Sequence, residues 1–330
     1  MAYSAELSKE EQKTLAKMKV EKALVKIKRD VASVFTNSQL PKFLSFAVKF
    51  HYFDVNNVLL LYKQFPEATF VASFKTWKNL SDEFRGKGNN RPVFATSQKG
   101  NGIGILAPYI LKKKITDSSK QGRDGSQILV SYLDYHVVFV FDKSQTNNIP
   151  SPIIPWDLQG RKEESEFLFR ALNVKAPFFI CFEDSNSQKN YRYEAANGEK
   201  EKDKLIFKAT DRESYFDLCN FTVKHYVLNS LAEVKSRYPF NDFQKIAECV
   251  AFMISSYFGL PINDYVFFFA NEWGYKTAGE MIELLATIHG SAHRMIDELE
   301  EEIAYIRVLY GSEDLEDIDS LFDFIGDYDF

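Results

Sequence analysis

Hydrophobic residues recur at helical spacing in several long segments of the chain. This spacing predicts helices over residues 5–35, 41–63 and 161–175, and within 212–260. A long last helix is predicted over 276–310, because its apolar positions fall on one face. Those positions are Met281, Leu284, Leu285, Ile288, Met295, Ile296, Leu299, Ile303 and Ile306.

Short β-prone runs at 69–73, 92–95, 103–106 and 137–141 predict strands among the first helices. A stretch with three prolines, at 148–160, predicts a linker between domains. The predicted fold class is therefore α+β with two domains. These are an N-terminal mixed α/β domain over 1–147 and a mainly helical domain over 161–311, followed by an acidic tail over 312–330.

Charge divides the chain into a basic and an acidic part. Residues 1–115 hold 20 Lys and Arg against 9 Asp and Glu, a net of +11, whereas the remainder holds 21 against 37, a net of −16. This asymmetry indicates one part that meets a polyanion and one that does not. For the first helix taken alone, we favour the alternative that its lysines are merely solvated.

Cysteine use and hydropathy bear on the compartment. The three cysteines are few, odd in number and lack CxxC spacing, which favours a reducing compartment and disfavours a thiolate metal site. The N-terminal residues lack the apolar core of a leader, and no stretch is apolar for about 18 residues. We expect a cytoplasmic protein without a membrane span.

Four ordered blocks cover about 95 residues of the N-terminal part. They read FHYFDVNNVLLL at 50–61, QFPEATFVASFKTWK at 64–78, KGNGIGILAP at 99–108 and VFDKSQT at 140–146. They resemble the ArdC-type antirestriction family, whose N-terminal domain has the pattern YS-x-x-N-x-LLI, Q-x-P-x-AT-x-VAGFKTWK, KGEKGI-x-ILAP and VFDVSQT. The resemblance implies an α/β domain that binds single-stranded DNA, in a protein that a plasmid or phage encodes.

A sequence-tolerant single-strand site needs cations for phosphates and flat side chains for bases. The expected DNA-binding residues combine the two kinds: Lys75, Trp77, Lys78, Arg85, Lys87, Arg91 and Lys99. For Trp77 an alternative stays open, because an aromatic residue at helical spacing also suits a core. An insertion near 81–97, and Asn101 in place of the family's Glu, depart from the pattern.

The second domain resembles the same family's zincin-like metallopeptidase domain. AECVAF at 247–252 and YFGLPINDY at 257–265 match its AESVAY and FGL-x-x-x-DYSF, so the resemblance puts Glu248 at the third zinc-ligand position. The helix that should carry HExxH instead reads DLCNFTVKH at 217–225, without a His pair or the catalytic Glu. We expect a non-catalytic protein with no metal or other cofactor, in which Glu248 is a plain polar or capping residue.

Two histidines, His289 and His293, lie four residues apart on the last helix, with Glu298 nearby. The pair lacks a catalytic Glu and a third ligand, so the sequence does not predict a metal site there. Residual peptidase activity with an unusual metal site is kept as a third hypothesis.

The last 23 residues hold eight acids and no basic residue. The ending Asp327, Tyr328, Asp329 and Phe330 resembles the acidic, Phe-ended tip of bacterial single-strand-binding proteins, which docks partner proteins. A solvated tail is the alternative.

The leading hypothesis is a non-catalytic single-stranded-DNA-binding protein of a mobile element, active in antirestriction or replication. The second hypothesis is an acidic inhibitor that binds a host defence or replication protein through the C-terminal half.

Overall fold

The computed structural model describes residues 8–84, 101–116, 127–146, 162–184, 191–196, 202–211 and 214–310. The described residues fall into two compact units. The first unit contains residues 8–30 and those between 59 and 146, and the second contains 31–58 and those from 162 onward. This division differs from the predicted domains 1–147 and 161–311, because residues 31–58 pack with the second unit. The predicted linker and tail lie outside the described residues.

The described helices are α1 (Lys9–Asp30), α2 (Leu40–Ala47), α3 (Val55–Gln64), α4 (Phe74–Phe84), α5 (Lys162–Lys175), α6 (Tyr215–Ser230), α7 (Ala232–Arg237), α8 (Phe240–Tyr257), α9 (Ala270–Trp273) and α10 (Ala278–Tyr310). The strands are β1 (Val71–Ser73), β2 (Ile103–Thr116), β3 (Gln127–Asp142), β4 (Phe179–Glu183), β5 (Tyr191–Glu194) and β6 (Lys204–Lys208). The mixture of helices with small sheets confirms the α+β class. None of the described helices combines the length and apolar content that a membrane span requires.

The first unit is built on an antiparallel sheet in the order β1-β3-β2. β2 and β3 pair along their whole length, from Ile103 opposite Val140 to Thr116 opposite Gln127. Their strands are much longer than the predicted runs 103–106 and 137–141, because the Lys- and Tyr-rich halves also pair. α1 lies along this ribbon, and it begins with a capping box in which Ser8 and Glu11 exchange hydrogen bonds.

The second unit surrounds the buried helix α8. The apolar positions predicted for the last helix are all buried along α10, which confirms that prediction. α10 contacts both α5 and α8, while α6 contacts α5 and α8. A three-stranded sheet in the order β4-β6-β5 completes the unit, with β4 and β6 parallel and β5 antiparallel to β6.

The single helix predicted over 41–63 is wrong. α2 runs into a 3-10 helix at Val48–Phe50, and the chain then turns before α3. The break has a local cause: Asp54 caps α3, since its carboxylate accepts a hydrogen bond from the backbone N–H of Asn56 at 2.8 Å. His51 lies at this turn.

Candidate nucleic-acid interface

The β2–β3 ribbon has two faces whose residues follow from its register. Side chains of directly opposed residues point to the same face, and successive residues alternate between faces. Tyr135 opposes Pro108, Phe139 opposes Gly104, and Phe141 follows on the same side. We call this side the Phe139 face. The other side carries Tyr132 opposite Leu111 and Asp134 opposite Tyr109; we call it the Tyr132 face.

Aromatic rings lie exposed along the Phe139 face. Phe139 is 54% exposed and Tyr135 is 42% exposed, although both are in regular strand. Phe74, at the start of α4, is 42% exposed and its ring lies 6.4 Å from that of Phe141. The face therefore presents a row of flat side chains to solvent.

Gly102 makes room for this row. A Cβ atom added there would lie 3.0 Å from Cβ of Phe139 and 3.2 Å from Cζ of Phe141. The rings of Phe139 and Phe141 thus occupy the space that a side chain at position 102 would fill. The glycine belongs to the KGNGIGILAP block, so that block has a packing role.

Two of the predicted phosphate contacts lie on α4, the helix that begins at the exposed ring of Phe74. Lys75 and Lys78 are exposed on α4, and they share one side of the helix with Phe74, because residues three and four apart are neighbours on a helix surface. α4 is anchored at its start, since the Ser73 hydroxyl accepts a hydrogen bond from the N–H of Thr76 at 3.1 Å. Cations and rings therefore lie side by side on the first unit.

The burial of Trp77 contradicts the prediction that its ring stacks on a base. It is 1% exposed and packs with Ala72, Phe141 and Phe70. Its indole N–H donates a hydrogen bond to the carbonyl oxygen of Phe141 at 2.8 Å. A ring held in this way is core, so the alternative that the sequence left open for Trp77 is the one the structure supports.

Polar residues of the four blocks hold the sheet together. The Asp142 carboxylate, 1% exposed, accepts hydrogen bonds from the backbone N–H groups of Thr69, Phe70 and Ser144 at 2.8, 3.0 and 2.9 Å. The Gln64 amide group both donates to and accepts from the backbone of Gly104. These contacts satisfy buried or edge backbone groups, which gives the blocks a structural explanation.

Arg85, Lys87, Arg91 and Lys99 lie outside the described residues, as do the tail residues Asp327, Asp329 and Phe330.

Glu248, the residue at the former zinc-ligand position, lies in the middle of α8 and is half-buried. It is not a capping residue. Burial raises the pKa of its carboxyl, and the positive charge of Lys224 opposes that shift. The Lys224 ammonium also lies 4.2 Å from the ring centre of Tyr265, whose hydroxyl is 2.9 Å from that of Ser255. A protein cation thus stands near Glu248.

His225 ends the segment 217–225, where the resemblance would put HExxH, and its ring packs against two tyrosines of β5. Its ring stacks on Tyr193 at 4.8 Å, with an interplanar angle of 8°, and meets the edge of Tyr191 at 5.6 Å. Burial lowers the pKa of His225. These contacts turn the imidazole towards β5.

Sequence reasoning missed Tyr135 and Phe139. The register of the ribbon decides which face each occupies, and a single sequence does not reveal that register. The available signal was the alternation of Leu133, Tyr135, Val137 and Phe139 along one strand.

Comparisons with known proteins give matches among solved structures. No family model matches the chain, and no curated protein matches it. A metal-free crystal structure of the antirestriction ArdC protein from plasmid R388 is 18% identical, covers 76% of this chain and 84% of that chain, and has a TM-score of 0.43. The Mn(II)-bound structure of that protein is 15% identical with the same coverage and a TM-score of 0.40. Both matched structures belong to the family that the four sequence blocks of this chain resemble.

Proposed function

We propose that the first unit binds single-stranded DNA on the Phe139 face. One observation carries the proposal: the first unit exposes the rings of Phe74, Tyr135 and Phe139, and it exposes Lys75 and Lys78 on α4, the helix that begins at Phe74. Proteins that bind single strands without sequence preference combine these two features.

The chemistry divides between bases and phosphates. A base stacked on an exposed aromatic ring contributes about 1–3 kcal/mol. Tyr135 and Phe139 are four residues apart on a strand, about 13 Å along the ribbon, so they take different bases. Lysines contribute through counterion release, which makes the affinity depend on salt. Duplex DNA hides its base faces in the stack, so this surface favours an unpaired strand.

The biological role follows from the sequence blocks and is part of the proposal. Their resemblance to the ArdC-type family implies a plasmid or phage protein with an antirestriction or replication-associated role. We further propose that the protein acts by binding rather than by peptide hydrolysis, since the sequence lacks HExxH and Lys224 lies near Glu248. The acidic segment over residues 312–330 would recruit a protein partner.

A labelled single strand and a matching duplex, titrated against the full chain by fluorescence anisotropy, test the proposal. Tyr135→Ala and Phe139→Ala are each expected to weaken single-strand binding about 5- to 150-fold, the equivalent of one stacked base. Tyr132→Ala is the matched control. Tyr132 is 41% exposed and lies on the same strand, but its side chain points to the opposite face of the ribbon from Tyr135 and Phe139. Equal losses in the control and in Tyr135→Ala would contradict the assignment of the face.

The acidic half supports a second candidate function, the inhibitor of a host protein. Residues 116–330 carry a net charge of −16 and could mimic a nucleic acid towards a basic partner. A pulldown with the full chain carrying Lys75→Glu and Lys78→Glu separates the two candidates. A defined host protein captured without DNA supports the inhibitor, whereas an empty pulldown counts against it.

A further inference from the structure

Two histidines of the second unit, His51 and His293, meet one carboxylate, that of Asp297. His289, His293 and Asp297 lie on one side of α10, because each is four residues after the one before it. His51, at the turn after the 3-10 helix Val48–Phe50, comes to the same place: its ring centre is 5.4 Å from that of His293. The sequence separates His51 from this helix by more than 200 residues.

The distances within this group suit a metal ion. His51 Nε2 lies 3.6 Å from Oδ1 of Asp297, and His293 Nδ1 lies 3.2 Å from Oδ2 of the same carboxylate. Ligand atoms of the three residues all lie within 4.8 Å of one another. Two ligands of a tetrahedral zinc ion, with bonds of about 2.0–2.1 Å, are about 3.3 Å apart. Small shifts would therefore bring these atoms around one ion.

One backbone carbonyl group, that of Val48, orients the imidazole of His51. Its Nδ1 lies 3.1 Å from the carbonyl oxygen of Val48 and can only donate to it. In the neutral ring Nε2 then carries the free lone pair, which points to Asp297. A hydrogen bond from the other ring nitrogen to a backbone carbonyl, as from Nδ1 of His51 to Val48, is typical of metal-bound histidines. The Tyr257 ring, edge-on at 5.1 Å, also holds His51 in place.

His289 shows the same arrangement deeper in the protein. Its ring hydrogen-bonds to the backbone of Phe50 and Ala47, while its Nε2 is buried and has no hydrogen-bond partner among the described residues.

A second buried nitrogen is also unsatisfied. His293 Nδ1 makes no hydrogen bond within the described part of the chain, despite its closeness to Asp297. Each buried polar atom without a partner costs about 1–3 kcal/mol. Two such atoms at one cluster indicate that something outside the chain satisfies them.

We propose that His51 Nε2, His293 Nδ1 and the Asp297 carboxylate bind one divalent transition-metal ion of the zinc class. Two imidazoles and a carboxylate are donors that such ions prefer, and three protein ligands leave a position for water. A metal-bound water can donate a hydrogen bond to His289 Nε2. The side chains of His293 and Asp297 are 39% and 44% exposed, so the ion reaches the site from solvent. The site uses neither Glu248 nor the Phe139 face, and it stands whether or not the chain binds DNA.

Zinc titration of the full, chelator-stripped chain by isothermal calorimetry tests the proposal, with Mg²⁺ as the hard-cation comparison. The expected result is one equivalent of bound Zn²⁺ and much weaker Mg²⁺ binding. Asp297→Asn and His293→Ala should each weaken zinc binding about tenfold or more. His136→Gln, which removes a histidine of the first unit, is the control and should bind as the wild type does.

Folding is checked by circular dichroism, and zinc should raise the Tm of the wild type but not of Asp297→Asn. Asp297→Asn is nearly isosteric at a half-exposed position, so it is expected to fold. Less than stoichiometric zinc, Mg²⁺ binding of equal strength, or an unchanged isotherm for folded Asp297→Asn would each overturn the proposal.

Discussion

Substitutions of Trp77 distinguish a structural role of this residue from a role in stacking on DNA bases. Its replacement by Ala removes a side chain that is 1% exposed, together with its hydrogen bond to Phe141. Large-to-small changes of this kind cost about 3–5 kcal/mol. Replacement by Phe keeps most of the ring volume and removes one hydrogen bond, which costs about 0.5–1.5 kcal/mol.

These magnitudes are large against the usual stability of a domain, about 5–15 kcal/mol. Trp77→Ala should therefore lower the unfolding midpoint of the first unit strongly, and Trp77→Phe should lower it modestly. Where Trp77→Phe is folded, we expect its affinity for a single strand to match that of the wild type. Trp77→Ala should lose binding only to the extent that it unfolds.

Thermal unfolding by circular dichroism and anisotropy with a labelled strand, on the same samples, provide the assay. A stacking role would give the opposite pattern. If Trp77→Ala kept the wild-type unfolding curve and lost DNA binding, the assignment of Trp77 to the core would be refuted.

Three further predictions concern the sheet and α8. Gly102→Ala should lower the unfolding midpoint, because the new Cβ would lie 3.0 Å from Cβ of Phe139, and overpacking costs about 1–3 kcal/mol; an unchanged thermal curve would count against this. Asp142→Ala should reduce the free energy of unfolding in urea by about 1–3 kcal/mol for each backbone donor left unsatisfied, with Ser144→Ala as the milder control. Glu248 has a folded-state pKa raised above 4.5, so the stability it contributes is present below that value and is lost as pH rises through the folded pKa. Glu248→Gln should therefore have a higher Tm than the wild type at neutral pH, with the gap closing towards pH 4, and a lower Tm at neutral pH would show that pairing outweighs burial.

Local patterns predicted the long elements well. The apolar stripe of α10 is buried as expected, because a run of more than eight turns repeats its period often enough to be clear. The predicted helix 41–63 failed because apolar residues continue through the turn at 51–54, and only the cap at Asp54 marks the break. The domain limits differ because residues 31–58 pack with the second unit, which is a property of tertiary contacts.

The sites depended on long-range contacts that a single sequence does not contain. Exposed lysines at 75 and 78 could be expected from composition. The burial of the rings could not, because Trp77 packs against Phe141 from α4 and the face that Phe139 occupies depends on the register of the ribbon. Likewise, His289 and His293 look like an incomplete pair in the sequence. His51 joins them only through the turn before α3, and no spacing rule connects positions 51 and 293.

The central claim, that the basic first unit binds single strands, is tested most directly by charge reversal across a salt series. Anisotropy would compare the wild type with Lys75→Glu/Lys78→Glu and with Lys42→Glu/Lys49→Glu, a control with the same charge change at exposed lysines of the second unit. We predict tight single-strand binding that weakens steeply with salt, a large loss and a shallower salt slope in the first variant, and little change in the control. Unchanged binding by folded Lys75→Glu/Lys78→Glu would contradict the account.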